Sequence, residues 1–333
     1  MLLSGVDPIV IFSKDTTMRI LALVPGGISE QILFFPTLED LKKRYPQATI
    51  DAIVEPSSKS AYRVCPHVSE VLTFDFKDRN GLADYLNLLG IIRDREYDIA
   101  LDLGKRWTIG LLLWLNGISV RVGYQTKTPW FFSKSVPLKN ERYVADMYHD
   151  ILQGLGIQSP TPDLKVTLPR EDIDWAGSEQ KRLGIDDSGY VLIYDGERQS
   201  PASDSSYPLE KWQKIAEDLQ QKQPDLPIVL LQAMGNSQWI AAMTGNNPDL
   251  KVTNPSDIGK LAAIVAGANL LLCTESVPMH LAVAVGTYAI ALLKSGASKF
   301  LPSNTQDRCA GIQSPSARIA DIQPETVLQQ VWR

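Results

Sequence analysis

MRILALVPGGISEQILFFPTLEDLKKRYP, residues 18–46, decides the fold. Its first seven residues are apolar apart from Arg19, as expected of a strand buried on both faces. Pro25, Gly26 and Gly27 then turn the chain. Ile32, Leu33, Phe35, Leu38 and Leu41 follow at the spacing of one buried helix face, predicting a helix over residues 30–45 that Pro46 ends. Outward from this unit the rhythm repeats. Strands are expected at residues 49–54, 68–74, 97–103 and 119–124, and helices at 57–64, 81–95, 108–115 and 143–156. Apolar strands alternating with helices predict a parallel sheet covered on both faces.

Residues 157–170 hold Pro160, Pro162 and Pro169 around a short extended segment at 164–168, and read as a hinge. A second series follows. Its strands are expected at 190–195, 227–232, 250–253, 269–273 and 287–293, and its helices at 171–183, 209–222, 237–244, 256–266, 276–285 and 324–332. The fold class is therefore α/β: two doubly wound domains, at 18–160 and 161–333, facing across a cleft. Such domains bind ligands at the carboxyl ends of their strands. Residues 1–17 carry Asp7, Lys14 and Asp15, lack a basic start and a small-residue cleavage site, and read as a loosely attached extension rather than a signal peptide.

Composition narrows the function. A chain of 333 residues, 44% hydrophobic and 21% charged, can build two ordinary cores. Its 33 basic and 38 acidic residues leave a net charge of −5, which argues against nucleic acid or anionic lipid as a non-specific partner. The longest apolar runs, residues 109–115 and 282–293, are too short or interrupted to span a bilayer. Cys65, Cys273 and Cys309 lie far apart, excluding a disulfide framework and a structural zinc site and fitting a reducing compartment.

Three loops after strands could carry chemistry. In residues 25–30, Ser29 is placed to cap the helix, and Glu30 is either a stabilising first-turn acid or a catalytic one. No GxGxxG fingerprint is present there. In residues 273–280, CTESVPMH, Ser276 suits an N-cap, Pro278 fits the first turn, and His280 lies one turn further on. A helix start after a parallel strand is an anion site, so His280 reads as facing a phosphate, with a packed core histidine as the alternative. Residues 196–208, GERQSPASDSSYP, form a long polar loop with Arg198 as its cation. Asp102, near a strand end, is a further candidate. His67 and His149 have no companions at metal spacing, and Trp107, Trp114, Trp130, Phe131 and Phe132 could form an apolar acceptor surface.

The order of motifs resembles glycosyltransferase family 9, typified by the ADP-heptose:lipopolysaccharide heptosyltransferases with their two-Rossmann-domain GT-B fold. The opening strand, loop and proline-containing helix ending in R-Y-P look like the family's start. DIALDL…GISVRVGY resembles its strand–helix–strand ending in R-x-G-[YF]. DIGKLAAIVAGANLLLCTESVPMHLAVAVGTYAIALL resembles its helix, strand, N-D-[ST]-G-x-x-H loop and following strand. YPLEKWQKIA and DIQPETVLQQV resemble its W-P-x-E-x-W segment and terminal helix.

The resemblance implies inverting, metal-independent sugar transfer without a cofactor, from a nucleotide-diphosphate donor (an ADP-sugar first) to a glycan or lipid-linked acceptor of lipopolysaccharide type. It places Glu30 at the position of the family's catalytic Asp, with Gly27, Ser29 and Asp102 on the acceptor side. Arg198, Ser205, Glu275, Ser276 and His280 fall on the donor side. It also implies work in the cytoplasm at the inner membrane face, with peripheral membrane contact. Several positions depart from the motifs. Glu275 replaces an Asp, Val277 a Gly, Ser205 a donor-binding lysine, and QAMGN (232–236) a Gly-rich turn. Those departures keep open a second expectation, a catalytically inactive member that binds a protein partner or serves as a scaffold. A nucleotide-sugar epimerase accounts less well for the first-loop acid and the element order.

Overall fold

The computed structural model describes residues 17–77, 81–125, 129–186, 188–196, 206–302 and 308–333. The chain divides into two units, Met1–Leu164 and Lys165–Arg333. In the first, β1 (Arg19–Val24) leads into α1 (Ile28–Arg44), then β2 (Thr49–Val54) and a 3-10 segment at Pro56–Val64. β3 (Glu70–Thr73), α2 (Leu82–Asp94), β4 (Ile99–Asp102), α3 (Trp107–Leu115) and β5 (Val120–Tyr124) follow. A short β6 (Lys134–Val136) and α4 (Val144–His149) complete the unit. The helix expected over 143–156 tightens after α4 into a 3-10 segment, Asp150–Leu155, and stops at Gly156 in the left-handed region (φ 77°).

The second unit holds α5 (Arg170–Leu183), β7 (Val191–Tyr194), α6 (Leu209–Lys222), β8 (Ile228–Leu231), α7 (Ser237–Asn246) and β9 (Lys251–Thr253). Then come α8 (Ile258–Ala266), β10 (Leu270–Thr274), α9 (Val277–Val285), β11 (Ala289–Leu293), β12 (Cys309–Gln313) and α10 (Pro324–Val331). Asp257 caps α8, accepting the N–H groups of Gly259 and Lys260.

Each sheet has six strands, in the orders β3-β2-β1-β4-β5-β6 and β12-β11-β10-β7-β8-β9. Counted from each unit's own first strand, both orders are 3-2-1-4-5-6. That is the doubly wound dinucleotide-fold order, and every recorded strand pairing is parallel. Two Rossmann-like units of this kind are the GT-B architecture.

The sixth strand of each sheet, β6 and β12, is absent from the sequence expectation. Both are edge strands, and β6 has only three residues, KSV, too short and polar to show periodicity. The central strands read clearly because helices cover both faces: Ile20, Leu21, Ala22, Leu23 and Val24 are wholly buried. In unit 2 the core gathers Trp212, Trp239, Tyr207 and Met243 with Val191, Ile193 and Leu230. Trp212 meets both Tyr207 and Trp239 edge-on.

Candidate functional site

In both sheets the strand order reverses at one place, between β1 and β4 and between β7 and β10. Loops leaving neighbouring strands there diverge to opposite faces and leave a crevice, the usual ligand position in this architecture. The loop after β1 is held by side chains. Gln31 is fully buried; its Nε2 donates to the carbonyls of Val24 (3.0 Å) and Gly26 (3.4 Å), and its Oε1 accepts the Tyr62 hydroxyl at 2.9 Å. The Ser58 hydroxyl donates to the same Gly26 carbonyl at 2.8 Å. Gly26 sits at φ 119°, and a Cβ there would lie 2.9 Å from Glu30 Cγ, so only glycine fits.

Ser29 does not cap α1. The helix begins at Ile28 with Gly27 at the cap position, and Ser29 lies inside the first turn. Glycine has no side chain to accept an amide hydrogen. Glu30 instead reaches back, and its Oε2 accepts the Gly27 N–H at 2.9 Å. The stabilising first-turn role weighed for Glu30 is thus present in the structure.

Asp102, the last residue of β4, pairs in register with Leu23 of β1 and is fully buried. Its Oδ1 accepts the Gly104 N–H at 2.8 Å. Its Oδ2 has no hydrogen-bond partner among the described residues. Burial without a compensating cation pushes its carboxyl up to about 7. Asp102 lines a cavity of about 450 Å³ at this reversal, together with Pro25 and Gly26 after β1, Glu55 after β2, Phe76 and Lys77 after β3, and Lys105 after β4. Glu55 was not singled out in the sequence. It is the first residue past β2, so the strand-end argument used for Asp102 would have found it. Its Oε1 accepts the Phe76 N–H at 3.1 Å, and burial raises its carboxyl above the ordinary range.

At the second reversal, Ser276 precedes α9 as expected, but its hydroxyl donates to the Thr274 carbonyl at 2.8 Å and caps no helix amide. Pro278 has no N–H to offer there. The helix start is therefore not closed off by its own cap. Gly196, leaving β7 at φ 85°, lies close enough that a Cβ would meet Thr274 Oγ1 at 2.8 Å. The root of the loop carrying Arg198 thus adjoins the start of α9, while Arg198 and Ser205 themselves lie outside the described residues. Glu275 and Val277 are half-buried beside Ser276.

His280 is buried, with its ring edge-on to Phe300 at 6.4 Å between centroids. Burial lowers its pKa to about 4, so the ring is neutral at pH 7. A neutral imidazole can give a phosphate one hydrogen bond but no charge.

Asp195, also missed by the sequence reading, fixes the far end of the 196–208 loop. This buried acid accepts the Tyr207 N–H at 3.3 Å and the Trp212 indole N–H. Asn236 is wholly buried and ties the turn after β8, its Oδ1 on Ala233 N at 2.9 Å and its Nδ2 on the Leu231 carbonyl at 3.0 Å.

The remaining candidates separate. His149 pairs with Asp40 at 2.9 Å and ties α4 to α1. His67 is half-buried, which lowers its pKa. Trp107, Trp114 and Trp130 are 56%, 52% and 80% exposed, and Trp114 lies against Phe131. All three cysteines are buried free thiols. Among the described residues no helix is long and apolar enough to cross a membrane.

The family description Glycosyltransferase family 9 (heptosyltransferase) matches residues 86–326. The chain belongs to that family. Among its relatives is lipopolysaccharide heptosyltransferase 3 of Escherichia coli, 24% identical, the match covering 79% of each chain. A second is the chloroplast photosynthetic NDH subunit of subcomplex B 1 from Arabidopsis thaliana, 24% identical over 94% of this chain and 73% of the plant protein. The solved glycosyl transferase family 9 structure from Veillonella parvula superposes with a TM-score of 0.79 at 19% identity, covering 94% of this chain and 95% of that one. This match extends the fold likeness to residues ahead of 86.

Proposed function

We propose that the chain transfers a sugar from a nucleotide-diphosphate donor, an ADP-sugar first among them, to a hydroxyl of a glycan or lipopolysaccharide-type acceptor. The observation that carries this reading is the start of α9. It lies at the β7/β10 reversal, its serine hydroxyl is turned to Thr274, and Gly196 brings the neighbouring loop against it. Backbone amides and the helix dipole there favour the charge that grows on a departing diphosphate.

In this reading the donor rests on unit 2, with Ser276, His280, Arg198 and Ser205 about the phosphates. Glu275 suits a hydroxyl of the donor, since a carboxylate repels phosphate. The acceptor rests on unit 1, beside Gly27, Ser29 and Asp102. Glu30 takes the proton of the attacking hydroxyl. The new C–O bond forms on the face of the anomeric carbon opposite the breaking bond to diphosphate, so the configuration inverts, and no metal is needed. Transfer on this plan takes place in the cytoplasm at the inner face of a membrane.

Titration calorimetry with ADP, UDP and GDP tests the donor site. Heat of binding with ADP, weaker with the others, is expected, and no heat with any of the three overturns the reading.

Two observations favour a second reading, a binding or scaffold protein without turnover. The Glu30 carboxylate is already engaged by the Gly27 N–H, and the plant NDH subunit matches nearly the whole chain. That reading predicts a co-purifying protein partner together with absence of transfer or donor hydrolysis.

A further inference from the structure

The cavity at the β1/β4 reversal holds two buried acids that the transfer step does not use. Asp102 and Glu55 are 0% and 4% exposed, and each has one oxygen tied to a backbone N–H, of Gly104 and Phe76 respectively. Asp102 Oδ2 has no hydrogen-bond partner among the described residues, and Glu55 brings a second carboxyl to the same cavity wall. A buried carboxyl oxygen left unpaired costs about 1–3 kcal/mol, so a fold that keeps such an atom on a cavity wall has a use for it.

We infer that this cavity seats a hydroxyl-bearing sugar ring of the acceptor, with Asp102 and Glu55 each hydrogen-bonded to a ring hydroxyl.

This inference rests on the reading of unit 1 as the acceptor-binding unit, and it names the groups that hold the acceptor there. The cavity volume, about 450 Å³, falls within the ordinary range for small-molecule sites. Its walls combine apolar surface from Pro25, Phe76 and Ile109 with the two acids, as a sugar's apolar ring face and polar edge require. Burial raises both carboxyl groups, Asp102 to about 7, so near neutral pH Asp102 can either give or accept a hydrogen bond. A hydroxyl does both and matches either state. Lys77 and Lys105 are exposed at the rim, where they would meet a substituent on the sugar rather than its ring. The cavity also borders the clamp on the reacting loop. Gly26 lines it and packs against Glu30, so a ring held by Asp102 and Glu55 lies next to the loop that carries the base. Asp102 and Glu55 are then positioning residues that choose which hydroxyl pattern is accepted.

Saturation-transfer NMR on the full chain tests this, with methyl α-D-glucopyranoside, methyl α-D-mannopyranoside and glucose 6-phosphate as probes and inorganic phosphate as the hydroxyl-poor control. At least one saccharide is expected to bind the wild-type chain. Asp102→Asn and Glu55→Gln, each close in shape and each keeping an oxygen for its backbone N–H, are expected to weaken that binding at least tenfold. ADP binding by calorimetry should be unchanged in both variants, which also reports that they fold. No saccharide bound by the wild type, saccharide binding unchanged in both variants, or binding of inorganic phosphate alone overturns the inference. Failure of the wild type to bind ADP overturns the donor assignment instead, so the two failures are separable.

Discussion

Glu30 Oε2 accepts the Gly27 N–H at 2.9 Å, so the acid proposed as the base is also the clamp on the loop that carries it. Gln31, one residue on, pins the same loop through the carbonyls of Val24 and Gly26. Adjacent side chains therefore hold the turn from both its donor and its acceptor side, and substitution at residue 30 has two separable consequences.

Glu30→Gln keeps an oxygen for Gly27 and should leave stability within about 0.5 kcal/mol of wild type. Glu30→Ala loses the cap and should cost about 1 kcal/mol. If Glu30 is the base, both variants lose transfer by roughly 10²–10⁴-fold. Urea unfolding and single-turnover rates on the same samples separate the two roles. Wild-type turnover by Glu30→Gln would leave the carboxylate as a clamp alone.

Trp212 joins two functions in one buried side chain, filling the unit 2 core and donating its indole N–H to Asp195. Trp212→Phe keeps most of the packing and strips the donor from a buried acid, at an expected cost of about 1–3 kcal/mol. Trp212→Ala also opens a cavity and should cost about 3–5 kcal/mol. Equal losses in denaturant unfolding would mean that the Asp195 bond contributes nothing.

His280 makes acid destabilising. Its folded pKa is about 4 against an ordinary 6.5, because burial penalises the imidazolium. The unfolded ring takes up a proton first, so this stability is fully present above about pH 6.5 and is lost as pH falls toward 4. From pH 7 to pH 5 the wild-type chain should lose about 2 kcal/mol relative to His280→Gln. A pH-independent difference between the two would place the ring in contact with water.

Asp102 has the opposite slope. Its folded carboxyl keeps a proton up to about pH 7, where the unfolded one loses it near 3.8. Its contribution is fully present below about 3.8 and is lost as pH rises through 7. Between pH 5 and pH 8 the wild-type chain should lose about 2–3 kcal/mol relative to Asp102→Asn. A flat difference in unfolding free energy would show that the carboxyl ionises freely.

What the sequence determined by itself is the succession of elements and the two-unit plan. Strands such as TIDAIV, and helices such as α6 with its buried Trp212, Ile215, Ala216 and Leu219, carry their burial pattern in local periodicity. Short edge strands such as β6 pair on one side only and bury little, so periodicity has nothing to register there. Motif order identified the family, and strand-end logic singled out Asp102 as a candidate. The tertiary structure alone decided what those residues touch. Whether Glu30 is engaged depends on the Gly27 N–H folding back over it, and whether Ser276 caps depends on where the Thr274 carbonyl lies. The state of His280 depends on its burial, with Phe300, twenty residues away, against its ring, and that of Asp102 on loops leaving four different strands. Hydrogen bonding and desolvation act over a few ångströms of space, and such neighbours are set by the sheet order, not by distance along the chain.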